Sequence, residues 1–421
     1  MPIPLPRIVL LLASLVTLWL LGLPWMADSL LALGLIGTLV FFQPCLKRQA
    51  LLLGSIWFGL LLGEAYFRLE ARLIPQPQAY YRPEERFARN GRFIPDIDIE
   101  MSVPHGDLIP VEPSLGPSLS VPRRTRFRTD HRGLRNTSNL EQATVLLIGD
   151  SFILGTANTQ SNLLATVMER DYSTPTYSLG LPLAPSWLLE RIPGLLAEAP
   201  QPDRLRTILF IFEGNDFIGP ADDNQVSQAL VQPSAYDQFK LRCIQQLGFH
   251  TGHRIFNLTR RLLQQQQSEG ESIVLVKRIA GKPVGFLNAY RHAALWKQPR
   301  LSLPAEAVPI AAALDGVFFI PTKYRVYQPW LATAMPSDTP PDPPPALLEL
   351  QRIFDPLNVP VMDLTPTLRA EATNALMQGE FVFWPDDTHW NHRGIHAAAR
   401  AVHEFLQQQT EPVVPPKARL P

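Results

Sequence analysis

The residues of this chain whose types could do chemistry together are a serine closing an apolar run, special residues closing the next two runs, and a histidine behind paired aspartates. Residues 145–152 read VLLIGDSF, which places Ser151 just past a buried strand, where open α/β sheets present their ligands. Gly149 permits a tight turn there, and the amides opening the next helix favour developing negative charge. Taken alone, a GDS tripeptide is an ordinary strand-to-helix turn with the serine as cap. It gains meaning from its company. Residues 177–180 (YSLG) close the next apolar run and residues 210–216 (FIFEGND) the one after. Gly180 offers an unhindered backbone N–H and Asn215 a side-chain amide, the donors a tetrahedral oxyanion needs, although each taken singly is a turn residue. Residues 383–394 (FWPDDTHWNHRG) supply the remaining half. A histidine with an ordinary pKa of about 6.5 can take a serine proton, and a carboxylate, Asp386 or Asp387, can fix the tautomer of His389. The rival reading is a metal site, because Asp386, Asp387, His389, His392 and His396 cluster, with His392 and His396 on one helix face. No second ligand cluster stands elsewhere, so neither metal nor cofactor is expected.

These residues need a frame. Short apolar runs at 144–148, 175–179, 206–212, 315–320 and 359–363 read as strands buried on both faces. Helix-like segments at 159–171, 185–199, 344–357 and 391–408 alternate with them, which implies an α/β sandwich with a central parallel sheet. The alternation breaks at 218–313, an insertion and candidate lid, and again at 337–345 (SDTPPDPPP), where proline excludes helix and central strand and an exposed loop is expected. Residues 73–120 are Pro- and Gly-rich without sustained period and read as stalk and loop. Six arginines, at 123, 124, 126, 128, 132 and 135, read as a solvated strand edge.

Lys+Arg and Asp+Glu both number 38, so charge gives no sign of a nucleic-acid partner. The two cysteines, Cys45 and Cys243, can build neither a disulfide framework nor a CxxC metal site. Hydrophobic residues are 46% of the chain but concentrate before residue 68. Runs 8–26, 29–46 and 49–67 each approach the ~20 residues needed to span a bilayer, Glu64 lying near the end of the last. Residues 1–72 are thus expected to be a three-helix membrane anchor. Arg7 before the first run and Lys47 and Arg48 between the second and third place the N-terminus inside, against a weaker opposing signal from Arg68 and Arg72. An odd number of spans then puts the remainder outside the cytoplasm.

In order, GDS at 149–151, Gly180, Gly-Asn-Asp at 214–216 and Asp-Asp-Thr-His at 386–389 resemble the four blocks of the SGNH (GDSL-like) hydrolase superfamily. The resemblance covers about 121–408, including the approach segment 127–136 (FRTDHRGLRN). It implies a flavodoxin-like three-layer α/β/α sandwich over 121–410, a disordered tail at 411–421, Ser151 as nucleophile, Gly180 and Asn215 in the oxyanion hole, and His389 as base. The commoner spacing, Asp-x-x-His, selects Asp386; the His-Trp variant usually shows Asp-x-His, which selects Asp387, the assignment adopted here. That variant and residues 320–327 (IPTKYRVY) are similar to the branch of alginate O-acetyltransferase-like proteins. The branch implies acyl, chiefly acetyl, esters of a cell-surface or exported polysaccharide as substrate, and exopolysaccharide biosynthesis proteins as partners. Its Asp-x-His usually precedes the serine, whereas here it follows, as in esterases. An esterase is therefore expected, with O-acetyltransferase and non-catalytic glycan-binding component as alternatives.

Overall fold

The structure, a computed structural model, describes residues 59, 62, 92–219, 272–331 and 338–409. The chain divides into two compact units, Met1–Pro75 with Val231–Glu271 and Gln76–Leu230 with Ser272–Pro421. All described residues except helical Gly59 and Leu62 belong to the second unit. The apolar runs 8–26 and 29–46, all of 49–67 but those two residues, insertion residues 220–271 and the tail 411–421 lie outside the described residues. Among the described residues no helix is long and apolar enough to cross a membrane.

The second unit opens with an antiparallel ribbon. β1 (Asp98–Val103) pairs with β2 (Arg123–Arg128), and strand alternation turns Met101, Thr125 and Phe127 inward while arginines 124, 126 and 128 face solvent. Phe93, Met101, Phe127 and Leu154 form a small core of their own. Residues 92–120, read from the sequence as stalk, are therefore folded against the domain. Their prolines erase any period, and the strand that pairs with β1 lies beyond three short helical turns.

The main sheet comprises β3 (Val145–Gly149), β4 (Thr176–Gly180) and β5 (Arg206–Phe212), then, after the antiparallel hairpin of β6 (Val274–Ile279) and β7 (Lys282–Leu287) and the helices α5 (Asn288–Leu295) and α6 (Val308–Ala312), β8 (Gly316–Ile320) and β9 (Val361–Asp363). All five strands are parallel in the order β4-β3-β5-β8-β9. Numbered within the sheet this is 2-1-3-4-5, the flavodoxin-like order, whose switch point lies between β3 and β5. Apolar residues alternate between two cores. On one face Leu147, Phe210 and Phe318 meet Met168 of α2 (Leu164–Tyr172), Leu368 of α8 (Thr365–Met377) and Val402 of α9 (His392–Gln408). On the other, Ile148, Leu209 and Phe319 meet Leu189 of α3 (Pro185–Leu189), Leu195 of α4 (Ile192–Glu198) and Leu350 of α7 (Pro345–Phe354). Helices thus cover both faces of a parallel sheet.

The five expected strands form within a residue or two of their expected ends. The helix expected over 185–199 is two helices, because Pro193 has no N–H to offer the Leu189 carbonyl and its ring fits only the first turn of the second helix. The buried face of α8 is Leu368 with Ala372 and Ala375, too weakly apolar to be read as a stripe. α9 is the opposite case: Ile395, Ala398, Ala399, Val402 and Phe405 form a helical stripe, and Asn391 caps the helix by accepting the Arg393 N–H at 2.9 Å. Phe405 fills the space over Gly316, where a Cβ would stand 2.6 Å from its ring.

The arginine row is not uniformly solvated. Arg135 is buried, its guanidinium donating to the carbonyls of Leu154, Gly155 and Asn158 in the turn after Ser151 and to that of Arg126 on β2. Arg123 is buried between two aspartates. Both follow the rule that an interior charge needs paired acceptors. The proline-rich loop likewise is partly docked, Pro340 and Pro344 being buried and the Pro341 carbonyl accepting from Arg325.

Candidate active site

Ser151 sits where β3 gives way to α1 (Ser151–Leu154), at the switch point of the sheet. Asp150 caps this turn by accepting the Phe152 N–H at 2.9 Å. The turn is pressed onto the ends of β3 and β4: a Cβ on Gly149 would stand 2.4 Å from the Ile153 side chain, and one on Gly180 2.3 Å from the Leu154 nitrogen. The glycines are required by close approach. Leu181 N–H donates to the Gly149 carbonyl at 3.0 Å, which leaves the Gly180 N–H outside the pairing with β3. Asn215 is exposed in the turn after β5, which Asp216 closes by accepting the Phe212 N–H at 2.7 Å.

His389 reaches this point from the loop before α9. Its Nε2 is 2.8 Å from Ser151 Oγ and its Nδ1 is 2.7 Å from Asp387 Oδ1. An ionised carboxylate only accepts, so in the neutral ring Nδ1 carries the proton and Nε2 presents its lone pair to the serine hydroxyl. Asp387 also accepts the His389 N–H at 3.0 Å, the Asp107 N–H at 3.0 Å and Arg123 Nη2 at 3.0 Å. Burial alone would raise its pKa, but the His389 hydrogen bond and charge together with Arg123 hold it at about 2. For His389, burial works downward and is outweighed by Asp387, Asp107 and Asp150, which lift the ring to about 9. Burial raises the carboxyls of Asp150 and Asp216, and the neighbouring Asp150 adds to the rise at Asp216.

Asp386 does a different task. Its carboxylate accepts the Gly106 N–H at 2.7 Å, the Val121 N–H at 2.8 Å and Arg123 Nη1 at 3.0 Å, tying the loop to the segment before β2. The structure therefore brings Ser151, His389 and Asp387 together and turns Asp386 away. Nor do His392 and His396 join the group: His396 faces Asp171 at 3.2 Å. Among the described residues the one His/Asp set with ligand atoms close enough to share an ion is Asp107, Asp387 and His389, and its atoms are already engaged with one another and with Thr388.

Four more residues hold this loop, none of which the sequence marks as part of the site. Lys323, just past β8, donates to the carbonyls of Trp384 at 2.7 Å, Pro385 at 3.0 Å and Asp387 at 3.1 Å. Burial pulls its ammonium down to about 7, against the opposing aspartates. Arg123 lies 4.5 Å over the Trp384 ring, Asn158 donates to the Trp390 carbonyl at 2.9 Å, and the Tyr327 hydroxyl accepts the Val382 N–H at 2.8 Å. Lys323 occupies a strand end like Ser151 and was open to the same positional argument. Asp107, in the presumed stalk, carried no signal.

A doubly wound sheet with a serine, histidine and aspartate in hydrogen-bonding series at its switch point is the arrangement of a serine-nucleophile site, and the resemblance to the SGNH superfamily fits it. Residues 316–419 match the family model of the SGNH hydrolase-like domain of the acetyltransferase AlgX, so over that stretch the chain is similar to an SGNH-type domain. The matched stretch runs from β8 through the His389 loop and α9, and does not reach Ser151. No curated protein and no solved structure matches the chain.

Proposed function

We propose that the protein cleaves acyl, chiefly acetyl, esters of a cell-surface or exported polysaccharide, with Ser151 as nucleophile, His389 as base and Asp387 as its orienting acid. The observation that carries this is the unbroken series from Ser151 Oγ through the imidazole to Asp387, at 2.8 and 2.7 Å. As Ser151 Oγ bonds to the ester carbonyl carbon, its proton passes to His389 Nε2 and the carbonyl oxygen becomes an oxyanion. The Ser151 amide, the Gly180 N–H and the Asn215 side chain stabilise that charge. Collapse re-forms the carbonyl, breaks the bond to the sugar oxygen, and returns the proton from Nε2 to that leaving oxygen. The acyl-serine is then attacked by a hydroxyl whose proton passes to Nε2 and on to the departing Ser151 Oγ. If that hydroxyl is water the reaction is hydrolysis. A sugar hydroxyl makes it transfer, the second reading, which the match to an acetyltransferase domain favours. The runs 8–26, 29–46 and 49–67 would anchor the chain, hold the enzyme outside the cytoplasm and keep it beside polysaccharide-assembly proteins.

The test uses the full chain in detergent with an acetylated oligosaccharide and a serine-directed fluorophosphonate probe. Ser151→Ala and His389→Ala are each expected to lower ester turnover at least ~10³-fold, and Ser151→Ala to abolish probe labelling. Turnover that survives both changes overturns the assignment. Glycan binding without labelling identifies a non-catalytic component. Acetate released to water, against acetyl appearing on an added acceptor sugar, separates hydrolysis from transfer.

A further inference from the structure

The segment carrying Asp107 closes over the His389 loop without joining any strand. Gly106 N–H donates to Asp386 Oδ2 at 2.7 Å, Asp107 N–H to Asp387 Oδ2 at 3.0 Å, and Leu108 N–H to the Asp386 carbonyl at 3.3 Å. The fit is close, since a Cβ on Gly106 would stand 2.2 Å from that carbonyl oxygen. The Asp107 carboxylate accepts the Thr388 N–H at 2.8 Å and also the Thr388 hydroxyl, which leaves Oδ2 3.6 Å from His389 Nδ1. His389 thus has two carboxylates on its Nδ1 edge, Asp387 in line at 2.7 Å and Asp107 offset behind Thr388.

We propose that Asp107 is a positioning residue of this site, a second carboxylate that clamps Thr388 and stabilises the imidazolium formed when His389 takes the Ser151 proton. This rests on the serine–histidine reading above. The other charged or titratable groups around the ring are Asp387 on its own loop, Asp150 and behind it Asp216 at the strand ends, Arg123 and Lys323 bonded to the loop, and Tyr290 beside the same aspartates. Asp387, Asp150, Arg123 and Lys323 are buried, so neutralising any of them leaves a partner without its bond. Asp107 differs, because 38% of its side chain is exposed. Partial burial and the Asp387 charge push its carboxyl upward, and once ionised it holds a proton on His389.

Asp107→Asn separates charge from shape, since the amide oxygen can still accept the Thr388 N–H and the amide nitrogen can donate to its hydroxyl. Histidine-labelled full chain in detergent is titrated by carbon NMR, with the His389 signal assigned by its loss in His389→Gln. The His389 midpoint is expected to fall by about one pH unit in Asp107→Asn, and the acid limb of kcat/KM to move down with it. Asp107→Ala, which also breaks the clamp, should additionally lower kcat on the alkaline plateau. An unchanged midpoint in Asp107→Asn overturns the proposal and leaves Asp107 a structural clamp. A lowered midpoint in a protein without ester turnover upholds the electrostatic role and overturns instead the enzymatic reading.

Discussion

Ser151 is carried by main chain and apolar packing, whereas the loop of His389 is carried by polar bonds between residues as far as 281 positions apart. On the serine side, β3 delivers the residue, Asp150 caps its turn, and Gly149 and Gly180 let α1 lie against the strand ends. On the histidine side, residues 383–391 are irregular, and Arg123, Lys323, Asn158, Tyr327 and the backbone of 106–108 fix them. An apolar strand end tolerates the loss of one contact, because its position is shared among many small terms. A polar clamp does not. Each missing partner leaves a buried donor or charge unpaired.

The sharpest test of the histidine side is the pair of aspartates. Asp387→Asn, unable to accept in both required directions, is expected to lower kcat about 10⁴-fold, while Asp386→Asn keeps the Ser151–His389–Asp387 series and lowers it less than about tenfold. Steady-state kinetics of the two variants decide, and equal losses would mean that both carboxylates act as one clamp. The ion pair also sets a pH window. Asp387 lies below its unfolded value, so its contribution is present above about pH 4 and lost as the pH falls toward 2; His389 lies above its unfolded value, so its contribution is complete below about 6.5 and lost as the pH rises through 9. Unfolding followed against pH should show greatest help from the pair between those limits, and Asp387→Asn should flatten the curve.

What was legible in the sequence follows the same division. Residues 145–149 and 206–212 announce themselves as strands because both faces are buried, and their ends mark the switch point where Ser151 and Asn215 fall. The Asp-Asp-Thr-His spacing shows a base with an acid beside it, but only a fold can say which aspartate turns toward Nδ1. Arg123 reads as one more surface arginine in a row whose neighbours at 124, 126 and 128 are indeed exposed. Its burial depends on Asp386 and Asp387, 263 and 264 residues later, a pairing that no local pattern carries.

Arg123 is the next place to strain the comparison. Arg123→Met removes the cation between two almost fully buried carboxylates and is expected to cost about 3–5 kcal/mol, read as a lower urea midpoint of the full chain. A loss below about 1 kcal/mol would show that backbone donors alone hold the loop. Asn215→Ala probes the serine side instead. Because Asn215 is exposed, stability should be unchanged, while kcat falls about 10²–10³-fold if its amide meets the oxyanion. A change under about fivefold removes it from the oxyanion hole.

Tyr327→Phe gives the smallest expected effect and isolates the polar contribution most cleanly. The ring is fully buried among Phe286, Phe381 and Phe383, and phenylalanine fills nearly the same space, so packing is conserved and no cavity opens. What disappears is the hydroxyl that accepts the Val382 N–H at 2.8 Å, and with longer reach the Phe383 N–H at 3.4 Å. A buried N–H left without a partner costs about 1–3 kcal/mol. Val382 and Phe383 open the irregular stretch that ends in His389, so the slack enters at the root of the loop, and the bond of Lys323 to the Trp384 carbonyl lies one residue further on. Stability should therefore fall by about 1–2 kcal/mol, and kcat by a few-fold through less exact placement of Nε2. An equal volume-conserving change in the sheet, Ile148→Leu, should alter stability by a similar amount with kcat untouched, since the strand end is held by many contacts at once. If both variants lose kcat alike, the serine and histidine are held by one shared core, and the contrast between apolar and polar support fails.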